Sequence, residues 1–152
     1  MCQPCECDYA KMSEEKANYM ASKIKNIALE NMQLVEDEYT LYTASGQVAF
    51  AAAFIYMDIY TNPTFDFSSG QKVKFEGTAW GLGLSGGQAW MAAAFTVSPS
   101  ELIGDVSFSF VTGALETEIN WWRGDQYLGS AFGATLGVGV AAGGGGGNFS
   151  NA

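Results

Sequence analysis

Gln47-Val48-Ala49-Phe50-Ala51-Ala52-Ala53-Phe54-Ile55-Tyr56, continuing through Met57, Asp58 and Ile59 to Tyr60, carries most of the architectural information in this chain. Its even positions Val48, Phe50, Phe54 and Tyr56 are large, whereas Ala49, Ala51 and Ala53 are small. A period of two is that of a strand, with successive side chains on opposite faces. Bulky residues on one face and alanines on the other suit a strongly curved sheet with a filled interior. Asn62-Pro63 then turns the chain.

The same alternation recurs downstream. Val73 and Phe75 alternate with Lys72, Lys74 and Glu76, and Thr78 to Leu84 reads as a Gly-punctuated strand before a hairpin turn at Gly86-Gly87. Ala89, Met91, Ala93 and Phe95 oppose Trp90, Ala92 and Ala94, and Val106, Phe108 and Phe110 oppose Ser107 and Ser109. Leu115, Thr117, Ile119 and Trp121 oppose Glu116, Glu118, Asn120 and Trp122; Gly124-Asp125 turns into Tyr127 to Phe132. A last strand over about Thr135 to Ala142 enters the run Gly143 to Gly147, read as a flexible tail or an irregular final strand. The pattern predicts a mainly β fold, a closed antiparallel barrel of about eight strands, because closure removes long open edges. A sandwich is the competing architecture.

Upstream the period changes to that of a helix. Ser13 is placed as an N-cap with Glu14 and Glu15 behind it, and Ala17, Met20, Ala21, Ile24, Ile27 and Ala28 form one apolar stripe. The expected organisation is a flexible Cys-rich leader at 1–12, one amphipathic α-helix within 13–36, and the barrel at 37–152.

Composition narrows the function classes. The 152 residues are 48% hydrophobic and 15% charged, with a net charge of −9 and no histidine. The missing histidine removes Ser-His-Asp triads, Cys-His dyads and His-ligated metals. Beyond residue 36, Lys72, Lys74 and Arg123 stand against ten acids, too few cations to bind nucleic acid. Anionic lipid finds no polybasic patch either, so a membrane would be met through apolar contact, at low pH, or through a covalent lipid. Apolar runs fall short of a spanning helix, so no transmembrane span is expected. The start shows no basic region followed by an apolar core, and no conventional leader peptide is expected.

Candidate sites are sparse. Cys2, Cys5 and Cys7 give C-x-x-C-x-C, a weak metal set without a fourth ligand, alongside lipidation or pairing between chains. Glu116 and Glu118 share a strand face that points to water, and Asp58 sits between apolar neighbours near a turn. Arg123-Gly124-Asp125 spells an integrin-recognition tripeptide but occupies a hairpin turn favoured for backbone reasons. Gly137-Val138-Gly139 lacks the helix and the lysine of a phosphate loop. No cofactor is expected. Of Trp80, Trp90, Trp121 and Trp122, the sequence assigns Trp121 to the core. Trp90 and Trp122 fall opposite the core stripes, as binding residues or as surface packed beneath the helix.

From about Gly46 onward the chain resembles the virulence-associated (Vap) proteins of pathogenic actinobacteria. The residues that carry this are Val48 to Tyr56; Thr78-Ala79-Trp80-Gly81; Ile119-Asn120-Trp121-Trp122 through Gly124 to Tyr127-Leu128-Gly129; and Gly137-Val138-Gly139 into the polyglycine and Phe149. The resemblance implies a compact barrel of two Greek-key halves, secreted, non-enzymatic, and acting on the host phagosome. Three functions are therefore set against one another. The first is a non-enzymatic interaction barrel with a protein or lipid surface as partner. The second is a barrel holding a small hydrophobic ligand. The third is an isomerase or cyclase, which requires Asp58, Glu76 or Asp105 to face inward beside a polar partner.

Overall fold

The computed structural model describes Lys23, Asn26 and residues 41–53, 55–83, 86–113, 115–136 and 141–152. Among the described residues nine strands follow one another: β1 (Tyr42–Ala53), β2 (Tyr56–Thr61), β3 (Phe65–Phe67), β4 (Lys72–Leu82), β5 (Gly87–Phe95), β6 (Gly104–Thr112), β7 (Glu116–Arg123), β8 (Gln126–Leu136) and β9 (Ala141–Asn151). A short helix, α1 (Pro99–Leu102), links β5 to β6. The strand order is β2-β1-β3-β4-β9-β6-β7-β8-β5, and the additional pairings β2–β4 and β1–β5 close it on itself. All pairings are antiparallel.

β2 and β3 act as one stave broken at the cis Asn62–Pro63 bond. Val48 to Ala53 of β1 pair with β2, and Ala44–Ser45 pair with β3. The cylinder therefore has eight staves, and the sandwich alternative is excluded by its closure. Around the wall, β5 lies beside β1 and β9 beside β6, so in each half the fourth stave returns next to the first.

Alternation decides what fills the cylinder. Inward positions Val48, Phe50, Met57, Ile59, Val73, Phe75, Met91, Phe95, Phe108, Phe110, Ile119 and Phe149 are buried. Trp121 sits at the centre, with ring centroids 5.4 Å from Phe149, 5.5 Å from Phe75 and Phe95, and 5.9 Å from Phe65. Most of these pairs meet edge to face, the arrangement that ring quadrupoles favour. Strand alternation parts the two adjacent indoles, one fully inside and the other half-buried on the wall, and the register shift beside them leaves Leu128 of β8 without a register partner on β7.

Three sequence expectations are corrected. The run from Gln47 to Tyr60 is a hairpin, not one strand: β1 ends at Ala53 and β2 starts at Tyr56, with Ile55 in the turn. Neither Gly nor Pro marks that reversal, so periodicity passes through it unnoticed. Gly86-Gly87 does not close a hairpin, because β5 pairs with β1 and β8 rather than with β4. The polyglycine is neither tail nor irregular: Gly143 to Gly147 run through the middle of β9, paired with β4 on one side and β6 on the other. Its composition follows from close approach. A Cβ built on Gly143, Gly145 or Gly147 lies 2.3, 1.9 or 2.4 Å from a carbonyl oxygen of β4.

The leader and its Cys2, Cys5 and Cys7 lie outside the described residues, as does the expected helix within 13–36 apart from Lys23 and Asn26, both of which are helical. The Lys23 ammonium stands 5.9 Å from the centroid of the Phe132 ring on the outer wall of β8. Phe132 and its neighbour Ala94 on β5 are buried although they belong to the outward set.

Candidate functional site

Antiparallel staves alternate between the two ends of the cylinder, and this sorts every connection to one end or the other. The connections after β3, β5 and β7, together with the break between β2 and β3, lie at one end with Asn148 to Ala152. This end is polar. Its turns carry Glu101 and Asp125, and Asp66, Lys72, Asp105 and Arg123 flank them.

Arg123 organises the polar end. Its Nε donates to the Asp105 carbonyl at 3.1 Å, Nη1 to that of Glu101 at 3.0 Å, and Nη2 to those of Leu102 at 2.8 Å and Ile103 at 3.4 Å. The carbonyls that α1 leaves unpaired at its C-terminus are thereby satisfied by a cation, which also complements the helix dipole. Gly124, at φ +61°, makes the tight turn that follows. The tripeptide Arg123-Gly124-Asp125 is a structural turn whose arginine is engaged within the fold. Arg123→Ala is expected to lower stability by about 2 kcal/mol, with Arg123→Lys recovering only part of it, since one ammonium cannot span four carbonyls. Urea midpoints of the three proteins check this.

The opposite end is different in kind. There β1 leads to β2, β4 to β5, β6 to β7 and β8 to β9, and the described residues between these strands, Ile55, Gly83, Gly86, Gly113 and Leu115, carry no charge. The exposed aliphatic residues gather there: Leu82 is 85% exposed, Leu115 79%, Ile55 69% and Val111 58%. Leu82, Ala142 and Val111 are register partners across β4, β9 and β6, so they form one row along the rim. Trp80, 54% exposed, lies two residues inward from Leu82 with its ring 5.4 Å from that of Tyr56. Leu115 caps the β6–β7 turn, its carbonyl held by the Thr135 amide at 3.0 Å.

Trp90 and Trp122 are both half-buried. Trp90 sits in the half of β5 near the apolar end, whereas Trp122 sits near the polar end of β7 with its ring 5.9 Å from Tyr127. The fold does not bring them together. The indole with the greatest exposure is Trp80, which the alternation alone did not favour. The absence of charge from alternate connections is visible in the sequence, but only the topology shows that the strand ends they join converge.

Among the described residues no acid is buried. Asp58, Glu76 and Asp105 are exposed. They line an open groove of about 630 Å³ over the outer face of β9, floored by Gly146 and Gly147. Asp58 accepts from the Thr78 hydroxyl at 3.2 Å, and Asp105 from the Asn148 amide at 3.0 Å. The isomerase or cyclase reading asked one of these three to face inward; each points outward instead. Glu116 and Glu118 also take the outer face, Glu118 accepting from Asn120 at 2.9 Å. Ser130, which is buried, donates to Asn120 and is linked to the Tyr127 hydroxyl. Among the described residues no group of three or more Cys, Asp or Glu is placed to hold a metal, and no helix is long and apolar enough to cross a membrane.

An eight-stave barrel plugged by its own aromatic rings, with its chemistry turned outward, defines the class of protein. The Rhodococcus equi virulence-associated protein family matches residues 6–150, and this chain belongs to that family. The barrel is similar in structure to virulence-associated protein VapD of Rhodococcus equi, with a TM-score of 0.59 and 23% identity, over 73% of this chain and 97% of that one. It is likewise similar to VapB of the same organism, with a TM-score of 0.56 and 22% identity, over 74% and 98%. No curated protein sequence matches the chain.

Proposed function

We propose that this protein is a non-enzymatic interaction barrel that acts by surface contact on the host phagosome. The observation that carries this reading is the packed interior. Trp121 and the four rings around it occupy the space that a small hydrophobic ligand would need, which leaves the outer surface to do the recognising. Membership in a virulence-associated family, with solved relatives from an intracellular pathogen, supports a setting inside the host cell, and the apolar end supports contact as the mode of action, because exposed apolar area of this kind marks interaction sites.

The test uses the full chain on isolated macrophage phagosomes. Saturable binding is expected, together with a change in phagosome acidification. The triple variant Asp58→Asn, Glu76→Gln, Asp105→Asn is expected to retain both. Undiminished binding with loss of the acidification effect would assign chemistry to those carboxylates and overturn the proposal.

A further inference from the structure

The polyglycine of β9 leaves a furrow on the outer wall. Alternation from the buried Phe149 puts Gly144, Gly146 and Asn148 on the outer face, so the first two leave the floor bare. Register fixes the banks. Trp80, Thr78 and Glu76 of β4 stand opposite these three on one side, and Ser109, Ser107 and Asp105 of β6 on the other. Asp58 of β2, paired with Thr78, stands behind the β4 bank. The stretch beside Gly146 and Asn148 is the open groove of about 630 Å³.

Close approach to β4 accounts for Gly143, Gly145 and Gly147, but not for Gly146, where the nearest atom to a built Cβ is 3.7 Å away. A strand glycine often marks a place where a ligand or another backbone comes close. We infer that this furrow binds a proline-rich, basic peptide segment in the polyproline II conformation. Its proline rings lie against Trp80 and its cationic side chains among Asp58, Glu76 and Asp105. This goes beyond the phagosomal contact, which the triple carboxylate variant is expected to keep.

Backbone chemistry selects the conformation. β9 is paired on both sides, with β4 and with β6, so an incoming chain finds no ladder to extend. Polyproline II needs none, because its own backbone groups stay solvated, and aromatic-lined grooves receive it through ring contacts. Trp80 is 54% exposed and its ring lies 5.4 Å from that of Tyr56, which gives one aromatic surface beside Gly144. From Gly144 to Asn148 the furrow runs about 13 Å, a length that about four residues of polyproline II span.

Charge selects the sequence. Asp58, Glu76 and Asp105 line the groove, and none of its lining residues is a cation. Lys74 lies one step further along β4, opposite Ser150 and outside the groove. Asp58 and Asp105 are held by the Thr78 hydroxyl and the Asn148 amide. A basic side chain on the docked segment meets carboxylates from three strands, whereas an acidic segment is repelled.

The experiment is fluorescence polarisation of the full chain with a labelled peptide of four proline-proline-arginine repeats, at neutral pH and low salt. Saturable binding is expected, weakening as salt is raised. Trp80→Ala and the double variant Glu76→Gln/Asp105→Asn are each expected to weaken it by about tenfold or more. Gly146→Leu is expected to do the same by filling the floor. Melting temperatures are expected to stay close to wild type, because all four positions are exposed. A peptide that keeps the arginines but has glycine and serine for the prolines is expected to bind at least about tenfold more weakly, since it is not preorganised.

No saturable binding by wild type would overturn the inference, as would binding that survives both Trp80→Ala and Gly146→Leu. Equal affinity for the proline-free peptide would reduce the furrow to a plain acidic surface and overturn it too. Peptide binding without phagosome binding would leave the furrow's role standing and strike only the phagosomal reading.

Discussion

Gly145→Ala is expected to cost about 3 kcal/mol or more and to leave a large unfolded fraction at 37 °C, whereas Gly146→Ala costs well under 1 kcal/mol. The two residues are adjacent in β9, and a propensity argument gives them the same effect. Geometry separates them. A Cβ on Gly145 meets the Thr78 carbonyl oxygen at 1.9 Å and the backbone of Ala79 at 3.0 Å, and neither can move without parting β9 from β4. On Gly146 the nearest atom is the Val106 carbonyl oxygen at 3.7 Å, an ordinary contact on the outer face. Overpacking against rigid backbone is more destabilising than overpacking against a side chain that can rotate. With total stabilities of about 5–15 kcal/mol for a domain, the first substitution removes a large share. Urea midpoints and far-UV circular dichroism of the pair check this. Equal losses at both positions would mean that the interstrand spacing relaxes more easily than the register implies.

Trp121→Ala is expected to cost about 3–5 kcal/mol, the range for emptying a large aromatic site. The residue is fully buried and its ring touches four others drawn from β3, β4, β5 and β9, so no single neighbour can collapse into the void. Its Nε1 is buried without a hydrogen-bond acceptor. That sets a sharper comparison. Trp121→Phe also leaves space, but it removes a donor whose burial is itself unfavourable by about 1–3 kcal/mol. The Phe variant is therefore expected to lose less than about 2 kcal/mol. Calorimetric melting of both variants checks the ranking. A Phe variant as unstable as the Ala variant would show that the indole is held by something other than packing.

These residues also show what could be read in advance. Trp121 was assigned to the core from alternation alone, and so were Phe75, Phe95, Phe108 and Phe110, because an inward face is a local property of a strand. Closure was legible as well, since about eight alternating segments with short connections have few other ways to hide their edges. Pairing partners were not legible. Gly86-Gly87 carries strong turn chemistry, yet the chain there crosses the end of the cylinder instead of reversing beside itself. Conversely, the reversal at Ile55 has no turn residues and is imposed by the pairing of β2 with β1 and β4.

The polyglycine misled for a different reason. Flexibility is the intrinsic behaviour of such a run, and only the carbonyls of β4 and β6 on either side convert it to a stave. Of the site, the alternation exposed Trp90 and Trp122 but could not rank them against Trp80, because exposure at a rim depends on where strands end. The apolar end itself joins residues 55, 82, 111 and 115, which are distant in sequence, and it exists only once the staves are ordered.

The order of the staves has a consequence for how the molecule comes apart. Each half of the chain, four staves on either side of α1, taken alone is an open sheet with two unsatisfied borders; only the β5–β8 seam on one flank and the β4–β9 seam on the other remove them. Neither half is therefore a viable fragment, and the barrel should lose its structure in a single concerted step. Among the described strands the same absence of borders denies a neighbouring molecule any ladder to extend into fibres.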